Sequence, residues 1–539
     1  MIRFLSQETK TIASAATIVA AFSFGSRLAG FIRDRILAGQ FGAGAVLDSY
    51  YAAFLVPDLL FSLLVIGALS ASFIPLFTKH YRGLGGKNKA WNLVNVIVNL
   101  IGISLLVASL GLFFFAPQIA HIIAPTFSDA KLTMVTAFTR VMLISDWLLA
   151  LSVVYGSALQ GMKRFLIYSL SPILYNLGII FGAVVLTKSM GPIGLAWGVV
   201  IGAALHFALQ YFGVHSAGYR YRFLWRPRDA DAREIGRLMV PRTMGVAVNQ
   251  LNNVILVMIA TTLAAGSVTI FQFAYNIQFF VVGVVAVSFA IAAFPALSES
   301  AAKNDTDGFT ETLSQTVRQI LFFIIPATVV FLLLRAQIVR VVVGAGEFGW
   351  EETIKTADTL AFFTLSFFAQ GLVFLLARAF YAYRDTVTPF VAGLINALFT
   401  VVAAMLFVRE FGVAGLGLAF SLAALVNVSI LWITLRIKVG SLREPEILQS
   451  LFRISIAAIF AGVTIQLMKS VVVAVIRNDT FFGVLFQGLI AGGVGLVVYG
   501  GVAWGLKSPE MIDFVASMKR KFFKHFEPSE TIAKDQNVI

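Results

Sequence analysis

Residues 91–116, WNLVNVIVNLIGISLLVASLGLFFFA, form an apolar stretch without a single charged side chain. A helix of about 20 such residues is long enough to cross the ~30 Å hydrocarbon core of a bilayer. Applied to the whole chain, this length criterion finds about 14 segments of the same kind. The predicted spans are 12–36, 46–78, 91–116, 132–158, 165–187, 192–214, 235–263, 267–297, 314–338, 355–382, 387–408, 412–436, 449–470 and 481–506. Because the runs are continuous and do not alternate in ten-residue segments, they indicate helices and not barrel strands.

The composition supports the same fold class. Of 539 residues, 59% are hydrophobic and only 13% are charged, whereas a soluble domain is typically about half apolar and a quarter charged. A single soluble core stops growing at roughly 250–300 residues, so it cannot hide this excess. The sequence excludes a soluble enzyme, a secreted disulfide scaffold, a disordered chain and a coiled coil. It predicts an all-α polytopic membrane protein.

Residue usage argues against several kinds of chemistry. The chain has no cysteine, which excludes disulfides and iron–sulfur clusters. Its five histidines are scattered without ligand spacing, so we expect no metal and no cofactor. We find no phosphate-binding loop motif and no Ser/His/Asp constellation, so we expect a transporter and not an enzyme. An ion gradient, the membrane potential or substrate supply must then drive transport, which makes a monovalent ion a candidate partner.

The basic residues predict the topology. The chain carries 41 Lys and Arg against 27 Asp and Glu, a net charge of +14. These charges cluster in alternate short loops, as the positive-inside rule requires, and they form no patch on a soluble face that would favour nucleic acid. We therefore expect both termini in the cytoplasm. The segment 12–36 is interpreted as the first span and not as a cleavable signal, because its apolar run is long and contains Arg27.

The chain also has features of an internal duplication. IGALSASFIPLF at 66–77 corresponds to VAVSFAIAAFPALS at 285–298, and LQGMKRFLIYSLSP at 159–172 corresponds to ARAFYAYRDTVTP at 377–389. Two pseudo-symmetric halves are a transporter architecture, with the substrate path between the repeats; the alternative is chance recurrence of Pro/Gly motifs. The predicted domains are an N-terminal six-helix half at 12–215, a cytoplasmic basic linker at 216–234, a C-terminal six-helix half at 235–437, two extra helices at 449–506 and a cytoplasmic tail at 507–539.

Charged side chains inside the predicted spans are functional candidates, because burying a charge in the bilayer is costly. Arg27 and Asp34 are seven residues apart and share a helix face, which permits them to pair and leaves Arg33 freer to meet a ligand. The alternative for Arg33 is that it marks the helix end, where long side chains reach the interface. In the seventh span, Arg242 and Gln250 make the helix polar on several faces. Because arginine recognises phosphate in a bidentate manner, we expect an anionic substrate.

Several runs resemble one known family. SRLAGFIRDRILAGQFGAGAVLDSYYAAFLVPDLL at 26–60 is similar to the signature of the first two helices of the MurJ (MviN) family. These are lipid II flippases of the multidrug/oligosaccharidyl-lipid/polysaccharide exporter superfamily. The resemblance continues through 67–77, 164–180, 294–299, 346–353 and 379–389.

The resemblance implies a flippase that moves a polyprenyl-diphosphate-linked peptidoglycan precursor from the inner to the outer leaflet by alternating access. It implies the bacterial cytoplasmic membrane as the location and membrane lipids as partners. It also implies that Arg27 and Arg33 engage the diphosphate and sugar–peptide head in the central cavity, together with Asp48 at the start of the second helix.

The chain departs from the family pattern at four positions. Phe61, Ser62 and Ile66 stand where many members carry charged residues, and Asn276 stands where the eighth helix carries a cavity arginine. Each departure removes a charged group, and Arg242 is a candidate to compensate. Two alternatives therefore stay open: a cation-coupled small-molecule antiporter of the same superfamily, with Asp48 or Asp146 as its acidic site, and a non-transporting membrane scaffold for cell-wall assembly.

Overall fold

The computed structural model describes residues 12–63, 73–83, 86–476 and 480–523, excluding the side chains of 12–17, 238, 240–249 and 520–523. Throughout these ranges the regular structure is helical. The helices are α1 Ile12–Phe41, α2 Ala45–Phe61, α3 Ile74–Arg82, α4 Gly86–Ile123, α5 Asp129–Gly161, α6 Phe165–Met190, α7 Ile193–Ser216, α8 Ala230–Thr261, α9 Ser267–Val284, α10 Ala286–Ala302, α11 Thr306–Leu333, α12 Arg335–Val342, α13 Trp350–Thr364, α14 Phe367–Ala382, α15 Val387–Phe411, α16 Ala414–Val439, α17 Glu444–Val475, α18 Phe481–Gly505 and α19 Pro509–Phe523.

The prediction of an all-α membrane protein is confirmed. Among the described residues, ten helical segments are long and apolar enough to cross a membrane, with α9 and α10 counted as one, and the bent pair of α13 and α14 makes an eleventh. The helices α1, α2 and α8 fall on three more of the predicted spans, so the total of 14 stays a prediction. For the predicted second span, 46–78, α2 ends at Phe61 and α3 begins at Ile74, and residues 64–72 lie outside the described residues, so the single span stays a prediction.

The chain divides into two compact units. The first unit contains residues 1–280, 335–369 and 384–432, and the second contains 281–334, 370–383 and 433–539. This division reflects which residues are in contact. It does not test whether the sequence is duplicated, so the two six-helix halves remain a prediction.

Glycines set the spacing of α6 and α7 in the first unit. A Cβ placed on Gly178 would lie 2.2 Å from the Cα of Gly202, and one placed on Gly182 would lie 2.4 Å from the Cα of Gly198. Small residues allow membrane helices to approach closely, and van der Waals packing then holds them together. Any larger side chain at these positions would force the two helices apart.

Charged residues tie helix ends together in the second unit. Arg318 of α11 lies 3.8 Å from Glu446 and 3.6 Å from Glu510. Arg443, just before α17, pairs with Asp307 at 3.3 Å and also with Glu311. Within the same unit, the Tyr499 hydroxyl of α18 donates to a main-chain carbonyl of α11 at 2.8 Å.

Candidate functional site

A polar cluster in the first unit joins α1, α6 and α9. The Nε and Nη2 atoms of Arg33 donate to Asp34 Oδ1 at 3.0 and 2.8 Å. Arg33 Nη1 donates to Asn176 Oδ1 at 3.0 Å. From α9, Asn276 Nδ2 donates to Asp34 Oδ2 at 3.3 Å, and Gln272 Nε2 donates to Asn276 Oδ1 at 3.2 Å. Two predicted site residues, Arg33 and Asn276, therefore meet on the same carboxylate.

Arg33 keeps part of its binding capacity in this cluster. A guanidinium carries five N–H donors, and three nitrogens each make one contact here. The Arg33 side chain is 22% exposed, whereas Asp34 is buried. The remaining N–H groups of Arg33 can therefore still reach an anion, although Asp34 offsets its charge.

Arg27 has a different environment. Its guanidinium carbon lies 5.8 Å from the centre of the Phe280 ring, which is within cation–π distance. Among the described residues, no carboxylate lies within ion-pair distance of Arg27. The pairing of Arg27 with Asp34, which the spacing permits, is not what the structure has, because Asp34 pairs with Arg33. Arg27, and not Arg33, carries the less compensated charge.

Asp48 lies at another place, where it holds the start of α9. Its Oδ2 accepts from Gly266 N at 2.7 Å and from Lys131 Nζ at 3.3 Å. Its Oδ1 accepts from Thr269 N at 3.1 Å and from Thr269 Oγ1 at 2.9 Å. An anion at a helix N-terminus satisfies free N–H groups and complements the helix dipole. The buried Asp48 is thus engaged by the protein itself and does not join the Arg33 cluster.

Close main-chain contacts surround Asp48 at this end of the first unit. We call the loops that make these contacts the latch, and we define the latch as residues 39–48, 126–131, 261–269 and 340–347. The Glu347 amide donates to Gly39 O at 3.0 Å. Gly346 has φ +49°, and a Cβ there would lie 2.2 Å from Gly39 O, so only glycine fits. Arg35 donates to two carbonyl oxygens at the end of α12, at 3.1 and 2.7 Å.

Two carboxylates of the first unit, Asp58 on α2 and Asp146 on α5, form no ion pair with any residue that the structure describes. Asp146 is 4% exposed. Its Oδ2 accepts no hydrogen bond from any described residue. Asp58 lies within electrostatic reach of Asp146. A buried, incompletely bonded carboxylate is costly in its charged form, so Asp146 is suited to hold a proton or a small cation.

The other residues that the sequence analysis singled out do not form an anion-binding site among the residues that the structure describes. Gln250 is half-buried on α8. The Arg242 side chain and residue Ile66 lie outside the described residues. Phe61 packs against the apolar core, and Ser62 is buried. Asn176, which sequence reasoning missed, was detectable as a lone amide in the otherwise apolar run ILYNLGII at 173–180.

Comparisons with known proteins agree with one another. A family model described as "Lipid II flippase MurJ" matches residues 37–485. A probable lipid II flippase MurJ from Vibrio cholerae is 27% identical over 435 residues, covering 79% of this chain and 83% of the relative. A protein of the same description from Treponema pallidum is 26% identical over 474 residues, covering 86% and 87%.

Solved structures support the fold. A structure described as lipid II flippase MurJ in an inward closed conformation superposes with a TM-score of 0.73 at 24% identity, covering 94% of this chain and 100% of that one. An inward-facing multidrug resistance transporter of the MATE family, in the MOP superfamily, gives 0.65 at 15% identity, covering 78% and 96%.

Proposed function

This chain belongs to the MurJ family of lipid II flippases, and we propose that it translocates a polyprenyl-diphosphate-linked peptidoglycan precursor, lipid II, across the bacterial inner membrane. The observation that carries the proposal is the pair of arginines on α1. Arg27 has no carboxylate within ion-pair distance among the described residues, and Arg33, six residues along the same helix, retains N–H groups beyond its contacts with Asp34 and Asn176. Guanidinium groups bind phosphate oxygens in a bidentate manner, so these side chains fit a diphosphate.

Because this chain lacks several charged residues of the family pattern, we expect it to bind the head group through weaker ionic interactions. Asn276 occupies the place of a family arginine and donates to Asp34. In our proposal the head group competes with Asp34 for Arg33, and Arg27 provides the initial attraction. The precursor would then bind through fewer ion pairs than in many family members, which leaves more of the affinity to its sugars and peptide.

The latch supports transport by alternating access. In this conformation, loops of the first unit far apart in sequence are joined around Asp48 and Gly346. If the basic loops are cytoplasmic, with both termini on that side, the latch closes the external end. Release of the head group outside then requires the latch hydrogen bonds to break, and recovery of the empty protein requires them to form again.

The test replaces Arg27 with Ala in cells depleted of their own flippase. We expect growth to stop while the amount of protein in the membrane stays normal. The matched control is Arg140→Ala, because Arg140 is also an arginine on a membrane helix and also lies over a ring, 4.9 Å from the centre of Phe113. Growth supported equally by Arg27→Ala and Arg140→Ala would refute the proposal and favour the scaffold alternative.

Asp146 supports a second element of the proposal, a coupling site. A buried carboxylate whose Oδ2 accepts no hydrogen bond from any described residue can gain a proton or a monovalent cation when the protein faces one side and lose it at the other. We therefore expect translocation in vesicles to respond to an imposed ion gradient in the parent and not in Asp146→Asn. The control is Asp129→Asn, since Asp129 is an exposed carboxylate at the start of the same helix. Equal responses of Asp146→Asn and parent would exclude Asp146 as the coupling group.

A further inference from the structure

The basic linker between α7 and α8 contains a segment held in a fixed position against the first unit. We call residues 219–228 (YRYRFLWRPR) the strap. Asn95 of α4 accepts from the Tyr219 hydroxyl at 2.7 Å and from the Arg222 amide at 2.9 Å, and it donates to Arg220 O at 3.3 Å. One turn along the same helix face, Asn99 donates to Arg222 O and Leu224 O at 3.4 and 3.3 Å. The two asparagines thus satisfy main-chain groups of a segment that has no helix or strand of its own.

Tyr219 anchors the start of the strap. Its side chain is fully buried, and its ring centre lies 5.5 Å from those of Trp91 and Tyr155. Burial raises the pKa of the Tyr219 hydroxyl, so it stays protonated and donates to Asn95 at any physiological pH. The strap is therefore ordered before any partner arrives, which reduces the entropy cost of binding.

The outer face of the strap is cationic and aromatic. Arg220, Arg222, Arg226 and Arg228 are all exposed, and so are Phe223 and Trp225, at 65% and 48%. No acidic residue occurs between positions 216 and 228.

The two acids that follow the strap are already engaged. Asp229 caps α8 by accepting from the main-chain N–H groups of Asp231 and Ala232 at 3.0 and 3.2 Å. Asp231 Oδ2 lies 2.8 Å from His80 Nε2. Among the described residues, neither carboxylate forms an ion pair with a strap arginine.

The position of the strap along α4 places it at the membrane surface. The helix α4 has 38 residues and is therefore about 57 Å long, well beyond the ~30 Å hydrocarbon core. Asn95 and Asn99 lie roughly 14–20 Å from its first residue, within the first nine residues of the apolar run 91–116. That run is about 39 Å long, so it exceeds the hydrocarbon core and its first turns extend beyond it. This is the level of lipid headgroups, where tryptophan and other aromatic side chains concentrate.

We infer that the strap is a docking surface for the anionic phospholipid headgroups of the surrounding membrane. Its arginines meet headgroup phosphates, while Phe223 and Trp225 enter the interface beside them. Each basic residue near an anionic membrane surface strengthens binding by about fivefold. The occupant is a membrane lipid and not a cytosolic protein, because the segment lies between the ends of two membrane helices and at headgroup depth.

The experiment uses the full chain, which has no native cysteine. Phe223→Cys is labelled with a fluorophore, and the protein is reconstituted with brominated phosphatidylcholine alone or with brominated phosphatidylglycerol added. We expect stronger quenching with the anionic lipid and loss of that preference at high salt, since screening weakens such contacts. The same measurement is made with the four strap arginines changed to Gln, where we expect the lipid preference to fall at least tenfold.

The matched control changes Lys188 and Arg409 to Gln, two exposed basic residues at the ends of α6 and α15, and should keep the preference. Asn95→Ala with Asn99→Ala keeps every arginine but frees the strap, and should weaken quenching. Quenching that is equal in both lipids, or a preference that survives loss of the four arginines, overturns the proposal. So does a label that is quenched by iodide in water and not by lipid bromine, as expected if the strap faced a cytosolic protein. Because the readout is lipid contact and not translocation, failure here leaves the flippase proposal standing.

Discussion

Replacing Asp48 by Asn should loosen the latch strongly. The Asp48 carboxylate accepts four hydrogen bonds, two on each oxygen, from Gly266, Thr269 and Lys131. Asparagine has one accepting oxygen, so two donors lose their partner whichever way the amide points. A hydrogen bond to a charged group contributes about 1.5–3 kcal/mol, so the two together are worth about 3–6 kcal/mol.

That loss applies only while the latch is closed, because an open latch exposes Asp48 to water. Conformations of a transporter differ by only a few kcal/mol. We therefore expect the fraction of molecules with a closed latch to fall, with an equilibrium shift of about 100-fold or more.

A disulfide reporter can measure the closed fraction. A Cβ on Gly39 would lie 3.3 Å from the Cβ of Ala345, close to the ~3.8 Å that a disulfide prefers. In the chain without other cysteines, Gly39→Cys with Ala345→Cys should cross-link rapidly under mild oxidation. Adding Asp48→Asn should slow cross-linking at least tenfold. The control is Asp129→Asn, which removes an exposed carboxylate at the same end and should leave the rate unchanged. An unchanged rate with Asp48→Asn would refute the idea that this carboxylate holds the latch.

Three further predictions concern stability. Gly178→Ala should lower the melting temperature, because the added Cβ would lie 2.2 Å from the Cα of Gly202 and overpacking costs about 1–3 kcal/mol. In the same thermal scan, Gly111→Ala should not lower the melting temperature, because Gly111 has open space around it. Asp146→Asn should raise the melting temperature in detergent by removing a buried charge, and a lower value would show that an unseen partner had been lost. Tyr219→Phe removes one hydrogen bond and should destabilise the strap by about 1 kcal/mol, visible as faster amide exchange at residue 222 and nowhere in the second unit.

The class of fold was determined by sequence alone. In the bilayer core every main-chain N–H and C=O must be bonded within the protein, so a long apolar run such as 91–116 has little choice but to form a helix. The spacing of such runs also predicts the order of the helices, since nothing beyond length and hydropathy is needed. Where polar residues interrupt a run, as within 46–78, this reasoning is weaker, and there the single span stays a prediction because residues 64–72 lie outside the described residues.

The sequence also identified the arginines of α1 as the candidate site, because charges are rare and costly at that depth. It could not determine their partners. Helical spacing favoured Arg27 for Asp34, yet Arg33 has that role, because α6 and α9 bring Asn176 and Asn276 to its side of the helix.

Long-range pairing was decided only in three dimensions. Asp48 accepts a hydrogen bond from Gly266, which is 218 residues away in sequence, and the local sequence of neither segment predicts that contact. The helix N-terminus at Ser267 needs acceptors for its free N–H groups, but only the packing of the loops decides which carboxylate supplies them. The local sequence thus determined which segments form helices and which groups need hydrogen-bond partners. The tertiary packing determined which residues supply those partners.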